Sequence, residues 1–282
     1  MGAQQHQSNA GTLDRRTLTK DHRCLVRFLR PEMAVSDVGC GTGAITVGIA
    51  EAVGPRGTVI GVDRDRELIA RANGRSASIP NLHFAQADAV DFCCARRFDV
   101  VTAARTLQWI ADLPQAISEM ARVAKRGGQL VVVDYNHTFN RWEPDPPEAF
   151  ASFYKVFLTW RHSNGWSNEM GHQLADLFAA ECLIDIQAHR QDAQSERGDP
   201  DFAAETALWT NVIDNLGSTL VTSGFFLTRS CPRQRGLLTR NGALRSSRRK
   251  PSPCPASWRM YPWTRGLDSP ERFHCFAGLR PS

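Results

Sequence analysis

From Met33 onward the chain alternates short apolar, β-branched runs with stretches whose apolar positions recur at helical spacing. Ala34 to Val38, Val59 to Val62, Leu82 to Gln86, Phe98 to Ala103 and Gln129 to Tyr135 read as strands. Gly43 to Val53, Arg66 to Ser76 and Leu113 to Val123 read as helices, each ended by Gly, Pro or a basic turn. Strand and helix alternating through about 100 residues predict an α/β fold: a doubly wound, mostly parallel sheet with helices on both faces.

Outside this core the pattern changes. Residues 1–20 are polar and irregular, a flexible N-terminal arm finishing as a helix that leads to Leu25, Val26 and Phe28. Residues 21–140 form the core. Residues 141–228 start with a proline-rich joint, Glu143 to Pro147, and continue as an aromatic helix from Glu148 to His162. A helix from Met170 to Ala180, a strand from Cys182 to His189 and a helix from Phe202 to Leu216 follow. Residues 229–282 are rich in Arg, Pro and Ser without sustained periodicity, and are expected to be mostly disordered.

Composition refines this picture. The 282 residues are 42% hydrophobic and 22% charged, which suits a globular α/β domain with additional material. The net charge of +5 would suggest a nucleic-acid binder, but the tail alone carries 12 basic and 2 acidic residues. Of the totals of 34 and 29, residues 1–228 keep 22 basic and 27 acidic, so no nucleic acid is expected for the core. The eight cysteines include no CxxC pair or zinc-ligand spacing, so neither a metal nor a disulfide framework is signalled. No run of about 18 apolar residues occurs, and the polar start has no signal-peptide core; the expectation is a cytoplasmic protein without a membrane span.

The chemistry concentrates at strand ends. Asp37-Val38-Gly39-Cys40-Gly41-Thr42-Gly43 lies where a strand turns into a helix, and its glycines allow a ligand close to the main chain beside helix-start amides. Gly39, Gly41 and Ala44 also satisfy a dinucleotide fingerprint, so context decides. Asp63, 20 residues past Gly43 with Arg64 beside it, offers a carboxylate to ribose hydroxyls. Asp88, followed by Ala89, offers an acceptor to an adenine amino group. Asp37 would repel a pyrophosphate, whereas it suits the ammonium and sulfonium of S-adenosylmethionine.

These residues, read in order, resemble a class I S-adenosylmethionine-dependent methyltransferase of the small-molecule, ubiquinone/menaquinone-biosynthesis type. The glycine motif, an acid like Asp63, the pair Asp88-Ala89, the strand Phe98-Asp99-Val100-Val101 and the turn Arg122 to Gly128 all have counterparts in that family. Arg126 replaces a usual proline, and Ser36 stands where an apolar residue is common. The resemblance implies a Rossmann-like sheet closed by a seventh, antiparallel strand near the C-terminus. Phe273 to Leu279 is a weak candidate for it, and the alternative is that the C-terminal strand is lost. The change of composition near Gly224 to Ser230 reads either as a translation out of the ancestral frame or as a basic tail attracted to RNA or membranes around Arg245 to Lys250.

The resemblance places the cofactor at Asp37, Gly39, Cys40, Gly41, Gly43, Asp63, Arg64, Asp88, Ala89 and Arg105, and the acceptor at Gln108 and Trp109. Tyr154 joins the acceptor group from the aromatic helix, whose Phe150, Phe153, Phe157 and Trp160 also fit ordinary packing. Methyl transfer is an in-line displacement with a neutral leaving group, so alignment and desolvation matter more than a dedicated acid or base. Where a base is needed, His137 is the first candidate, with His162 and His172 as alternatives. The expected partner is a small-molecule methyl acceptor. Its identity and the oligomeric state stay open, as do two rival functions, an NAD(P)-dependent oxidoreductase and an S-adenosylmethionine-binding protein without activity.

Overall fold

The computed structural model describes residues 10–92, 94–95, 97–143, 145–191, 193, 195–200, 202–225, 259–261 and 273–279. The chain divides into two units, Met1–Phe139 with Asn164–Asp192 and Gly266–Ser282, and Asn140–Ser163 with Ala193–Arg265. The strands are β1 (Ala34–Val38), β2 (Thr58–Asp63), β3 (Leu82–Gln86), β4 (Phe98–Ala104), β5 (Ala124–Tyr135), β6 (Arg141–Glu143), β7 (Ile184–Arg190), β8 (Arg259–Tyr261) and β9 (Phe273–Leu279). The helices are α1 (Ala10–Leu13), α2 (Leu18–Asp21), α3 (Ala44–Val53), α4 (Arg66–Ser76), α5 (Leu113–Val123), α6 (Glu148–Ser163), α7 (Met170–Ala180) and α8 (Phe202–Thr222).

The first unit holds a seven-stranded sheet in the order β3-β2-β1-β4-β5-β9-β7. Strands β1 to β5 pair in parallel, while β9 runs antiparallel to both β5 and β7. Because successive residues point to opposite faces, Val35, Val59, Val100 and Val131 share one buried cluster with Leu18, Leu25 and α3. Val38, Val62, Val101 and Val132 face the other cluster, formed with α5 and α7. Burial on both faces explains why these strands read as unbroken apolar runs. Asp65 and Asp112 cap α4 and α5, each accepting backbone amide bonds from the first turn.

The second unit contains α6, α8 and the two-stranded pair of β6 and β8. Its core is aromatic. The Trp142 ring meets Tyr154 edge-on at 4.7 Å, and Trp209 meets Tyr154 at 5.2 Å and Phe157 at 5.9 Å. The apolar stripe of α6 therefore serves packing within this unit.

Several expectations are corrected. Of the N-terminal arm, residues from Ala10 onward fold as α1 and α2 within the first unit, the helical finish that was expected, while residues 1–9 lie outside the described residues. The last strand is not lost: Phe273–Leu279 lies between β5 and β7, in register from Tyr135↔Phe273 to Gln129↔Leu279. The expected disorder of the tail thus fails at β8 and β9, and its remainder, including Arg245 to Lys250, lies outside the described residues. The expected boundary near residue 140 is crossed, since α7 and β7 return to the first unit. The cause is apolar: Met170, Leu174 and Phe178 complete the sheet's core.

Ser36 is a local conflict in β1. It is 1% exposed, and its hydroxyl finds no hydrogen-bond partner. An unsatisfied buried hydroxyl costs about 1–3 kcal/mol. Ser36→Ala is expected to raise the melting temperature by about 2–4 °C, as read by calorimetry; an unchanged or lower value contradicts the assignment.

Candidate functional site

The strand order reverses between β1 and β4, and in such sheets ligands settle beyond the strands' carboxyl ends at that point. Here β1 leaves the sheet through Gly39, Gly41 and Gly43, with φ of 74°, 57° and 75°. A side chain is strained at these angles. At Gly39 a Cβ would also lie 2.3 Å from the Thr106 side chain, and at Gly43 it would lie 2.4 Å from the Phe84 ring. The Gly39 and Cys40 amides both donate to the Val62 carbonyl, at 2.7 and 3.0 Å, which ties the loop to the end of β2.

Asp63 braces the loop from the neighbouring strand. Its Oδ2 accepts from the Gly41 amide and its Oδ1 from the Asp65 amide, each at 2.9 Å. Each oxygen keeps a further lone pair for a ligand hydroxyl. Burial pushes the Asp63 carboxyl above its ordinary range, against the pull of these two amides. Asp37, 2% exposed, accepts from the Thr46 hydroxyl at 2.7 Å. Burial pushes its carboxyl up to about 7; the Thr46 bond opposes this, and the charge of Asp63 adds to it. Cys40 is a protonated thiol, raised first by burial and then by the two carboxylates, so it is no nucleophile.

Asp88 is exposed beyond β3, and Ala89 is half-buried against the α5-side core. The Ala87 amide donates to the Asp63 carbonyl at 3.0 Å, which carries Asp88 to the same rim. Arg64 is exposed, and its carbonyl accepts from the Gln86 side chain. Arg105 ends β4 in the left-handed region at φ 57°, its guanidinium 2.8 Å from Asp21 Oδ1 and over the Tyr135 ring. The Arg105 side chain is therefore engaged with the N-terminal segment.

Gln108 is 1% exposed; its amide donates to Asp134 at 3.1 Å and its side-chain NH2 to the Arg105 carbonyl at 3.3 Å. The remaining Gln108 oxygen, an acceptor only, lies 2.6 Å from His137 Nε2, so that nitrogen carries the ring proton. A base role at His137 would fall to Nδ1. Trp109 is half-buried and meets Trp166 edge-on at 5.2 Å. His172 meets Phe139 edge-on at 5.0 Å in the first unit, whereas His162 is exposed on α6. Tyr154 belongs to the second unit, where its hydroxyl accepts from Asn140 at 2.8 Å.

Sequence reasoning missed three groups. Thr46 holds Asp37, Asp21 holds Arg105, and buried His22 bonds Thr102 at 2.7 Å. Thr102 donates to the Val131 carbonyl, so His22 Nε2 must be the donor to Thr102. Burial and then Arg105 lower the His22 pKa to about 3, leaving it neutral. A nine-residue gap between Asp37 and Thr46 was the only available signal for Thr46, since it places the hydroxyl on the first turn of α3.

A family model described as a methyltransferase domain matches residues 29–179, just over half of the chain. The chain belongs to this methyltransferase domain family. Among curated relatives, a demethylmenaquinone methyltransferase of Shouchella clausii is 30% identical over 165 residues, covering 53% of this chain and 70% of that protein. An uncharacterized 37.1 kDa protein in a Streptomyces fradiae transposon is 34% identical, over 59% of this chain and 49% of its own length. A 2-phytyl-1,4-naphtoquinone methyltransferase of Thermosynechococcus vestitus is 35% identical over 36% of this chain and 45% of its own. The chain thus spans about half the length of these last two relatives. The fold matches the Bacillus subtilis YcgJ protein with a TM-score of 0.54 at 16% identity, over 97% of this chain and 100% of that one. It also matches phosphoethanolamine N-methyltransferase 2 of Haemonchus contortus, with a TM-score of 0.55 at 17% identity over 94% and 53%. Among the described residues no helix is long and apolar enough to cross a membrane, and no cluster of His, Cys, Asp and Glu suits a metal ion.

The raised Asp37 carboxyl has a pH signature. A carboxyl at about 7 in the fold against an ordinary 3.8 favours folding while protonated. That contribution is complete below pH 3.8 and is lost as pH rises through about 7. His22, lowered from 6.5 to about 3, acts in the opposite sense, so the two must be separated. In denaturant titrations of the unliganded protein, the stability of wild type minus Asp37→Asn is expected to fall between about pH 4 and 7; a flat difference contradicts the assignment.

Proposed function

We propose that the chain is an S-adenosylmethionine-dependent methyltransferase that moves a methyl group to a small-molecule acceptor by in-line displacement. The observation that carries this reading is the glycine turn braced by Asp63, with the buried Asp37 carboxyl beside it and, among the described residues, no ion pair to either carboxylate. A pyrophosphate would meet two carboxylates there, whereas a ligand with ammonium and sulfonium charges compensates them. Membership of the methyltransferase family supports the same choice over an NAD(P)-dependent oxidoreductase. The rival reading of a binding protein without activity rested on a missing last strand, and β9 occupies that place.

The residues fit the cofactor. The loop from Gly39 to Gly43 would admit its amino-acid end close to the main chain, and Asp63 would accept the ribose hydroxyls through its unused lone pairs. Asp88, exposed on the same rim, would accept the adenine amino group beside Ala89. When bound, S-adenosylmethionine supplies a methyl group activated by the positive sulfur. The protein contributes alignment and exclusion of water. Gln108, fixed by Asp134, Arg105 and His137, and Trp109 beside it form the acceptor-side wall. His137 acts first by fixing Gln108, and as a base through Nδ1 where the acceptor must lose a proton. The quinone-type methyltransferases among the relatives support a small organic acceptor.

Calorimetry with S-adenosylhomocysteine tests the cofactor assignment. Asp63→Ala is expected to weaken binding by about 10- to 100-fold, the scale of a charge-assisted hydrogen bond or two. The ligand's ammonium charge favours ionised Asp37, so binding is expected to release a proton near pH 7, seen as a dependence of the heat on buffer ionisation. Tighter binding of NAD(P) than of S-adenosylhomocysteine, or no binding of the latter by folded protein, defeats the proposal. Transfer of labelled methyl groups to a panel of quinols, carboxylic acids and amines then reads the acceptor class.

A further inference from the structure

The glycine loop does not stand open at the protein surface. The first described residues run across it as a strap fixed at both ends. On α4, Asp14 is held by Arg71 and, at 2.6 Å, by Arg75. Immediately before it, Leu13 lies on the loop, its Cδ1 3.0 Å from where a Cβ of Gly41 would be. The chain then crosses α3, where a Cβ on Gly48 would approach that of Leu18 to 2.8 Å. It ends at Asp21, which binds Arg105 at the end of β4 at 2.8 Å. Within the strap, the Thr17 hydroxyl accepts the Lys20 amide and Asp21 accepts the Thr17 amide at 2.9 Å.

The two anchors differ in kind. The Arg105 and Asp21 side chains are 8% and 12% exposed, so this pair is shielded from salt. The α4 anchor is open to solvent, with Arg71 54% and Arg75 35% exposed. Exposed ion pairs are weak and screened by salt. A firm hinge at Asp21 and a weak latch at Asp14 therefore flank Leu13, which among the described residues comes nearest to Gly41. A ligand reaching Gly41 and the free lone pairs of Asp63 must share this space or displace Leu13.

We infer that Asp14 is a positioning residue for cofactor binding: by latching to Arg71 and Arg75 it holds Leu13 over the glycine loop and slows escape of the bound cofactor. The inference rests on the proposed cofactor site and adds a segment that neither the loop motif nor the family match, which begins at residue 29, includes.

The test uses the full chain and S-adenosylhomocysteine, with dissociation followed by stopped-flow and strap attachment by hydrogen exchange of residues 10–21. Asp14→Asn is expected to raise the dissociation rate about three- to tenfold at low salt, with Asp14→Glu restoring most of the loss. Raising salt from about 20 mM to about 500 mM is expected to bring the wild type towards the Asn variant, whose rate stays nearly flat. A loosened strap with an unchanged dissociation rate overturns the inference and leaves the cofactor assignment intact. So does a faster rate with the same salt dependence as wild type, since Asp14 would then act by general destabilisation. Failure of the folded wild type to bind S-adenosylhomocysteine overturns both readings at once.

Discussion

The site depends on a backbone constraint: three residues out of five between β1 and α3 must adopt left-handed angles while lying against Thr106 and Phe84. Only glycine meets both conditions without strain. The turn is held from outside by the Val62 carbonyl and by the Asp63 carboxylate on the Gly41 amide. Alignment of β1 with β2 is thus a precondition of the loop's shape, because the pairing Val38↔Val62 puts Asp63 at the height of the turn. The pairing of Val38 with Ala103 does the same for Thr106 and Gln108 on the other side.

Most of this was legible in the sequence because each signal has a local cause. Apolar runs without alternation identify strands covered on both faces, and the glycines announce a turn that no other residue can make. Asp37 and Asp63 lie at the carboxyl ends of β1 and β2 and Asp88 lies two residues beyond β3, so locating the strands located them. What the sequence hid depends on contacts between distant segments. The ring proton of His137 is fixed by Gln108, 29 residues earlier, and the orientation of Arg105 by Asp21, 84 residues earlier. Neither pairing leaves a trace in spacing. Of the N-terminal segment only the helical finish was legible, since four-residue helices such as α1 and α2 have too little length to show a period.

Electrostatics separates the demands of folding from those of binding. Burial raises both the Asp37 and the Asp63 carboxyls above their ordinary range, and the charge of Asp63 adds to the rise at Asp37. A fold selected only for stability would place an apolar residue or a cation here. Of the nearby cations, Arg105 is paired with Asp21 and Arg71 and Arg75 with Asp14, while exposed Arg64 only partly offsets the burial of Asp63. On the proposed function, the acidic rim is left for a ligand to compensate, and its binding would be tied to a change in protonation. The same arrangement disfavours any anionic group at the loop, whose Gly39, Cys40, Gly41 and Gly43 amides already donate within the protein.

The last strand illustrates how composition and structural role can diverge. A tail with ten more basic than acidic residues has the composition of an interaction arm. Its segment Phe273–Leu279 nevertheless lies between β5 and β7, in the interior of the sheet rather than at its edge. An interior strand satisfies backbone groups on both sides, so its absence would expose two unpaired edges, one of them the strand that leads to His137. The pairing is antiparallel on both flanks, which needs no crossover helix and can be reached by a chain returning from elsewhere. The short apolar run was discounted because the sequence around it is basic and proline-rich, yet an interior strand requires only a few apolar residues and two partners with free edges. Both partners, β5 and β7, were read from the sequence; their unfilled edges were the signal for β9.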